Sequence, residues 1–202
     1  MKKRILSMLA AAALTASMLP AGIAAQAEQA AIYGWTATVK DPASASCTLD
    51  TMVYCVGEHA ACLEGTTDQS SAKIQTELRV EQGKSYRVRF WAKAVGASDF
   101  TCTIGNNKRS LLPVVQTYDW TAFDFVYTHV EDSISAVLSF DLNKRGTVYI
   151  DEVYVELDEA GKQPNLVANP GFETEGQTEL SDELQPYTAV PLDQIIGEYM
   201  NV

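Results

Sequence analysis

From Trp35 onward the hydrophobic residues fall in short runs or strict alternation, broken by turn residues, and nothing sustains the three-and-four spacing of an amphipathic helix. This pattern predicts an all-β chain. Strands are predicted near 34–39, 46–49, 60–64, 73–80, 85–94, 100–104, 120–129, 135–141 and 148–157. Glu81-Gln82-Gly83-Lys84, Asn106-Asn107 and Asn143 to Gly146 supply turns, because Asn and Gly tolerate positive φ. So many short strands at this spacing point to a jelly-roll β-sandwich of two antiparallel sheets.

Two strands carry candidate chemistry. In Tyr86 to Ala94, one register holds Tyr86, Val88, Phe90, Ala92 and Ala94, which sends Arg87, Arg89, Trp91 and Lys93 to the other face. A flat ring such as Trp91 beside Arg89 can hold a sugar, whose CH groups stack on the ring while hydroxyls meet the guanidinium fork. The alternative is a loop that covers Trp91. In Gly146 to Leu157 the register of Tyr149, Asp151, Val153, Val155 and Leu157 puts a carboxylate among core residues. Buried bare, Asp151 would cost several kcal/mol, so it needs a cation, a metal or several donors. A bulge that returns Asp151 to solvent is the other solution.

The remaining aromatic candidates are less sharply placed. Trp120 opens a strand after Gln116-Thr117-Tyr118-Asp119, where it either packs at the strand mouth or meets a ligand. Trp35 begins the first strand close to the N-terminus, which favours partial exposure. Tyr118 falls in a predicted loop and would be a rim residue of a binding site.

Composition narrows the setting. Lys2, Lys3 and Arg4 precede an apolar run from Ile5 to Leu19 and the triplet Ala25-Gln26-Ala27, the layout of a secretory signal peptide over residues 1–27. The run is short for a membrane span, so the mature chain is expected to be secreted, extracellular and free of the membrane. Removing three basic and no acidic residues takes the formal charge from -11 to -14. Such an acidic chain disfavours nucleic acid and anionic membranes, and suits neutral or cationic partners and calcium. Its remaining length suits one domain, 28–160, followed by a linker and tail, 161–202.

Four cysteines, Cys47, Cys55, Cys62 and Cys102, all lie in the exported part, where an even count favours disulfides over a metal site with His59. Three pairings are possible. Cys55 with Cys62 and Cys47 with Cys102 is the preferred set, since Gly57 could turn the short loop.

Gly34-Trp35, the run Val80 to Ala94, the Trp120 strand and Val148-Tyr149-Ile150-Asp151-Glu152-Val153 together resemble carbohydrate-binding modules of families four, nine and twenty-two. These are the CenC-like, galactose-binding-like β-sandwich modules attached to secreted xylanases and glucanases. The resemblance implies a monomeric module with a polysaccharide ligand, a β-glycan of xylan or glucan type, bound in a groove on one sheet. It also implies a structural calcium, with the family's calcium aspartate falling on Asp151, and hard oxygen ligands suit that ion. One departure matters: the opening strand such modules carry is missing before Gly34, and matching text, Asn165 to Glu173, follows the last strand instead.

Three function classes are open: a binding module serving a glycoside hydrolase, an adhesion or surface-structure sandwich without a sugar site, and a glycosidase in its own right. For the last, the nearest carboxylate pair is Glu152 and Glu156, roughly 13 Å apart at ~3.3 Å per residue, too far for either hydrolytic geometry. No G-x-S-x-G or H-E-x-x-H setting surrounds His59 or His129. The tail has two readings. Residues 165–173 either begin a lost neighbouring module or fold back as the missing first strand, bringing Glu173 to Asp151 as a second calcium ligand. Ser181 to Val202 is expected to be a mobile acidic tail or a short helix near 192–200.

Overall fold

The computed structural model describes residues 32–112 and 114–174. The expected signal peptide, 1–27, and the tail beyond 174, with the helix expected near 192–200, lie outside the described residues.

Ten strands form two five-stranded antiparallel sheets: β1 Thr36–Val39, β2 Ala45–Asp50, β3 Ala60–Gly65, β4 Ala72–Arg79, β5 Ser85–Ala97, β6 Phe100–Ile104, β7 Asn107–Leu112, β8 Gln116–Thr128, β9 Ser135–Leu142 and β10 Gly146–Leu157. The orders are β1-β4-β9-β6-β7 and β2-β3-β10-β5-β8. The chain crosses between the sheets repeatedly, which makes a jelly-roll sandwich with β10 in the middle of the second sheet.

On β5 the alternation read from the sequence is the alternation observed, whereas on β10 a bulge at Glu152 shifts it. Val148 and Ile150 face the core before the bulge, Val153 and Val155 after it, and Asp151 lies opposite Trp91 on the outer side. Tyr86, Val88, Phe90, Ala92 and Ala94 of β5 point inward and are buried, against Ile74 and Leu78 of β4 and Leu138, Phe140 and Leu142 of β9 from the opposite sheet. Phe90 and Phe140 meet edge-on with centroids 4.8 Å apart, so the two sheets interlock at the core's centre. One strand, β7, was not predicted, since Asn107-Lys108-Arg109-Ser110 lacks an apolar alternation. It is an edge strand, and Arg109 lays its guanidinium over the Phe125 ring at 4.2 Å, closing the sandwich side. Similarly β8 begins at Gln116, ahead of Trp120, which moves Tyr118 from a loop into the strand.

The expected disulfides are absent. Cys47 on β2 and Cys102 on β6 are buried thiols on different sheets, and Cys55 is not bonded to Cys62. Cys47 shares the inner face with Leu63, its register partner, while Cys62 lies opposite Thr48 on the outer side, beside Tyr149. Burial pushes Cys47, Cys55 and Cys62 up to about 12 and Cys102 higher still, so none is a ready thiolate.

Residues 165–173 fold back beside β10. They form no strand, in contrast to the strand expected there, because Pro170 has no N–H and the Asn165 side chain stands in for main chain. Asn165 Oδ1 accepts the Val155 N–H at 2.9 Å and its Nδ2 donates to the Val153 carbonyl at 3.1 Å. Two backbone bonds follow, Leu166 N–H to Val155 O at 2.8 Å and Val153 N–H to Pro170 O at 2.9 Å. Phe172 is fully buried, with its ring 5.1 Å from Trp35, whose indole N–H donates to the Asn169 carbonyl at 3.0 Å. Trp35, expected to be partly exposed and available to sugar, is thus a core residue.

Because the Phe172 ring is fully buried against Trp35, Phe172→Ala should destabilise the protein by about 3–5 kcal/mol, read as a lower urea midpoint. A loss below about 1 kcal/mol would mean that the segment is not part of the cooperative fold.

Candidate functional site

The outer face of the second sheet gathers most of the candidate binding residues. Arg87, Arg89, Trp91 and Lys93 project from β5, flanked by Ala122, Asp124 and Val126 of β8 and by Tyr154 and Glu156 of β10. Trp91 sits in register between Ala122 and Asp151 and is half-buried. Its indole Nε1 and the Arg89 Nε are both shielded from solvent without a hydrogen-bond partner. Trp120, also half-buried, shares the register of Ala122 and Asp124, and its N–H donates to Asp119 Oδ1 at 2.9 Å.

Each cation of this face has a carboxylate. Arg87 grips Asp124 in a fork with its shortest contact at 2.7 Å, Lys93 reaches Asp119 at 2.9 Å, and Arg89 pairs with Glu156 while lying 5.9 Å from the Tyr154 ring centre. Tyr118 is not on this face. It lies opposite Ala94 on the inner side, edge-on to Phe123 at 6.2 Å, where burial pushes its phenol up to about 12 and leaves the hydroxyl without a partner. Tyr118 is therefore a wedge at the sandwich margin rather than a rim residue.

The outer face of the first sheet was not singled out from the sequence, where its residues read as ordinary solvent-side partners of a buried register. Two polar rows cross it in register: Gln75, Ser139, Thr103 and Lys108, and Lys73, Asp141, Thr101 and Ser110. Ser139 is 4% and Thr101 2% exposed although both point outward, and Thr101 Oγ1 has no partner. These strands bring no aromatic ring to that side.

Beside Trp91, on the same side of the sheet and covered by a loop, lies Asp151. β10 bulges there, with Glu152 at φ 51°, yet Asp151 stays fully buried. The bulge aims the carboxylate at the β2–β3 loop, 51–59. Oδ2 accepts the Cys55 and Val56 N–H groups at 2.8 and 3.0 Å, and Oδ1 accepts the Glu152 N–H at 2.7 Å. Even against these three donors, burial pushes the Asp151 carboxyl up to about 8, and burial also raises Glu152, with Glu173 adding to the rise. Glu152 is 2% exposed and takes its hydrogen bond from the Tyr154 hydroxyl.

Glu173 serves the same loop rather than joining Asp151 directly. Its Oε1 accepts the Glu58 and His59 N–H groups at 2.9 and 3.2 Å, and Oε2 meets His59 Nδ1 at 3.0 Å. Gly57 is needed there, with φ 78° and a Cβ that would run into Glu173 Oε1.

Does this donor set suit a hard cation? Asp151 and Glu152 are two buried carboxyls, and no Lys or Arg among the described residues forms an ion pair with either. Both point at Gly171, where an added Cβ would lie 3.0 Å from Glu152 Oε1 and 3.8 Å from Asp151 Oδ1. Each carboxylate retains an unfilled lone pair, since three donors on Asp151 leave one of its four sites open. Oxygen donors of this charge fit calcium. No group of three or more His, Cys, Asp or Glu is gathered for a metal among the described residues, so main-chain oxygens or water would complete the shell.

A family model described as a carbohydrate binding domain matches residues 24–147, and the chain belongs to that family. Membership implies a polysaccharide ligand. No curated protein matches the chain in sequence. Among solved structures, the enzymatically active domain of tailspike protein 4 of bacteriophage CBA120 is 16% identical with a TM-score of 0.50, over 62% of this chain and 20% of that one. The chain thus spans about a fifth of the tailspike domain, and the likeness is one of fold. A structure entitled "CBM4 structure and function" is 25% identical, TM-score 0.42, over 61% of this chain and 86% of that one. The CBM22-1 xylan-binding domain of Paenibacillus barcinonensis Xyn10C is 16% identical, TM-score 0.46, over 66% and 92%.

The raised Asp151 carboxyl makes stability depend on pH. The folded state holds this proton more tightly than the unfolded chain, whose value is near 3.8, so the group's contribution is complete below about pH 4 and is lost as pH rises through about 8. In chelator the melting temperature should fall across that interval, and Asp151→Asn should flatten the fall. A melting temperature that rises from pH 4 to 8 would show that the three N–H donors hold the carboxylate ionised instead.

Proposed function

We propose that this chain is a secreted, non-catalytic module that binds a β-glycan of the xylan or glucan type and targets a modular glycoside hydrolase to it. Family membership supports the ligand class, and the layout of residues 1–27 supports export. The observation that carries the placement of the ligand is the second sheet's outer face, where Trp91 and Trp120 stand among matched ion pairs. The rings offer a stacking surface, and the guanidinium and ammonium donors that their carboxylates leave open can meet the hydroxyls of a neutral polymer. Trp91 would be the stacking platform, Trp120 a second ring, and Arg89 with Lys93 the donors at their margin.

A second placement of the same ligand is the polar face of the first sheet, favoured by the unpartnered Thr101 hydroxyl and the sunken Ser139. The reading also includes a structural calcium held by Asp151 and Glu152. When bound, the ion supplies two positive charges to buried carboxyls and so fixes loop 51–59 against the sheet.

On a glycan array, the wild type should retain at least one soluble β-glycan. Trp91→Ala should weaken that binding by about 1–3 kcal/mol, Arg89→Ala by less, and Gln75→Ala on the first sheet not at all. Loss in Gln75→Ala with binding intact in Trp91→Ala would move the site to the first sheet. No binding to any glycan would favour the adhesion reading.

Calcium should raise the melting temperature of the wild type above its value in chelator, and should leave Asp151→Asn unmoved, since a ligand that binds only the native state stabilises it by mass action. Equal wild-type melting in both conditions counts against the ion.

A further inference from the structure

The C-terminal segment is bound to its own module as a peptide is bound in a groove. Besides two backbone bonds to β10, its contacts come from side chains seated in the body: Phe172 against Trp35, Asn165 across Val153 and Val155, Asn169 Nδ2 on the Tyr33 carbonyl at 3.2 Å, and Glu173 on the β2–β3 loop. Phe172 has φ 59°, a left-handed conformation uncommon for a residue with a side chain, so the slot dictates the backbone it accepts.

The connection to β10 contributes little by comparison. In Asp158–Pro164 every residue except Gln163 is exposed, Gly161 has nothing within 4 Å of an added Cβ, and its polar contacts are Asp158 N–H to Ser85 O and the exposed Lys84–Glu159 pair. An element that supplies core and hydrogen bonds through a tether that supplies almost none can fill the same slot from another chain at equal contact energy.

We propose that the slot beside β10 is an exchangeable binding site, and that its second occupant is residues 165–173 of another copy of this chain. The recognised peptide carries an Asn whose side-chain amide replaces a main-chain pair, an Asn-Pro-Gly turn, a Phe for the Trp35 pocket and a Glu for the loop N–H groups. This is strand complementation without a regular strand. Copies joined by exchange would carry two sheet faces at a fixed separation, and a repetitive polymer engages such a pair with avidity. The proposal is independent of which face binds glycan.

Two experiments on the full chain decide it. The first replaces residues 158–164 by prolines, which hold an extended left-handed helix of ~3.1 Å per residue and cannot reverse direction, so the segment cannot reach its own slot. Light scattering should then give a mass of two or more chains, with the Trp35 fluorescence of the wild type. A monomer, folded or unfolded, overturns exchange between copies. The second adds a synthetic peptide of residues 164–174 to the Phe172→Ala chain. The wild-type peptide should raise its melting temperature saturably by about 5 °C or more, and the peptide carrying Phe172→Ala should not. No shift with the wild-type peptide shows that the slot does not accept the segment in trans, and overturns the proposal from the other side.

Discussion

The constraint on which the rest of this structure depends is a fully buried carboxylate on the outer side of a sheet. Asp151 pairs with Trp91 on the outer side of β10, where loop 51–59 covers it, and a buried charge cannot stay uncompensated. The chain's answer is local and then global. A bulge at Glu152 re-aims the side chain, three backbone N–H groups converge on it, and two of them belong to Cys55 and Val56 in a loop far away in sequence. Loop 51–59 therefore has its shape because Asp151 is where it is. The same bulge breaks the pairing of β10 with β5 between Asp151 and Tyr154, which frees the Val153 N–H for Pro170.

That second consequence ties the C-terminal segment to the first. Residues 165–173 use the main-chain groups that the bulge and the end of the β10–β3 pairing leave unmatched, and they cap the loop from the other side through Glu173. Three pieces meet at one place: a strand bulge, a loop and a returning segment. Each leaves buried polar groups that only the others satisfy, so they form together or not at all. Trp35 belongs to the same unit, because its N–H needs the Asn169 carbonyl and its ring needs Phe172.

This explains which parts were legible in the sequence. The sandwich was, because strands such as β5 and β9 bury every second residue and so print their geometry as alternation. The direction of Trp91 followed from that alternation, but the single register read for β10 did not hold: Val148 and Ile150 face the core before the bulge and Val153 and Val155 after it, so Asp151 falls on the outer side. The place of Trp35 did not follow either, because its burial is decided by a partner 134 positions away that no local pattern announces. Tyr118 was misplaced because β8 begins with Gln-Thr-Tyr-Asp, polar residues that resemble a loop until Lys93 and Ala94 are set beside them. The cysteines were misjudged for a related reason: spacing along the chain does not say which sheet or which face each thiol takes, and Cys47 and Cys102 fall on different sheets. The polar rows on the first sheet were invisible because a solvent-side serine and a sunken one are the same letter.

The electrostatics of the aromatic face bear on what kind of polymer suits it. Arg87, Arg89 and Lys93 would give a basic stripe if they were alone, and a basic stripe would draw acidic polysaccharides. Each is instead matched by Asp124, Glu156 or Asp119, so the stripe carries almost no field beyond its own ion pairs, on a chain whose formal charge is -11. An anionic chain would have to break those pairs against the pull of the whole molecule. A neutral one need only lie across two half-buried rings and exchange hydrogen bonds with groups that are already fixed in place by their partners. Fixed donors are also the more selective ones, since a guanidinium held by Glu156 cannot turn to meet a hydroxyl in the wrong position. On this face the ion pairs serve orientation more than attraction, which is why a neutral glycan suits it better than a charged one.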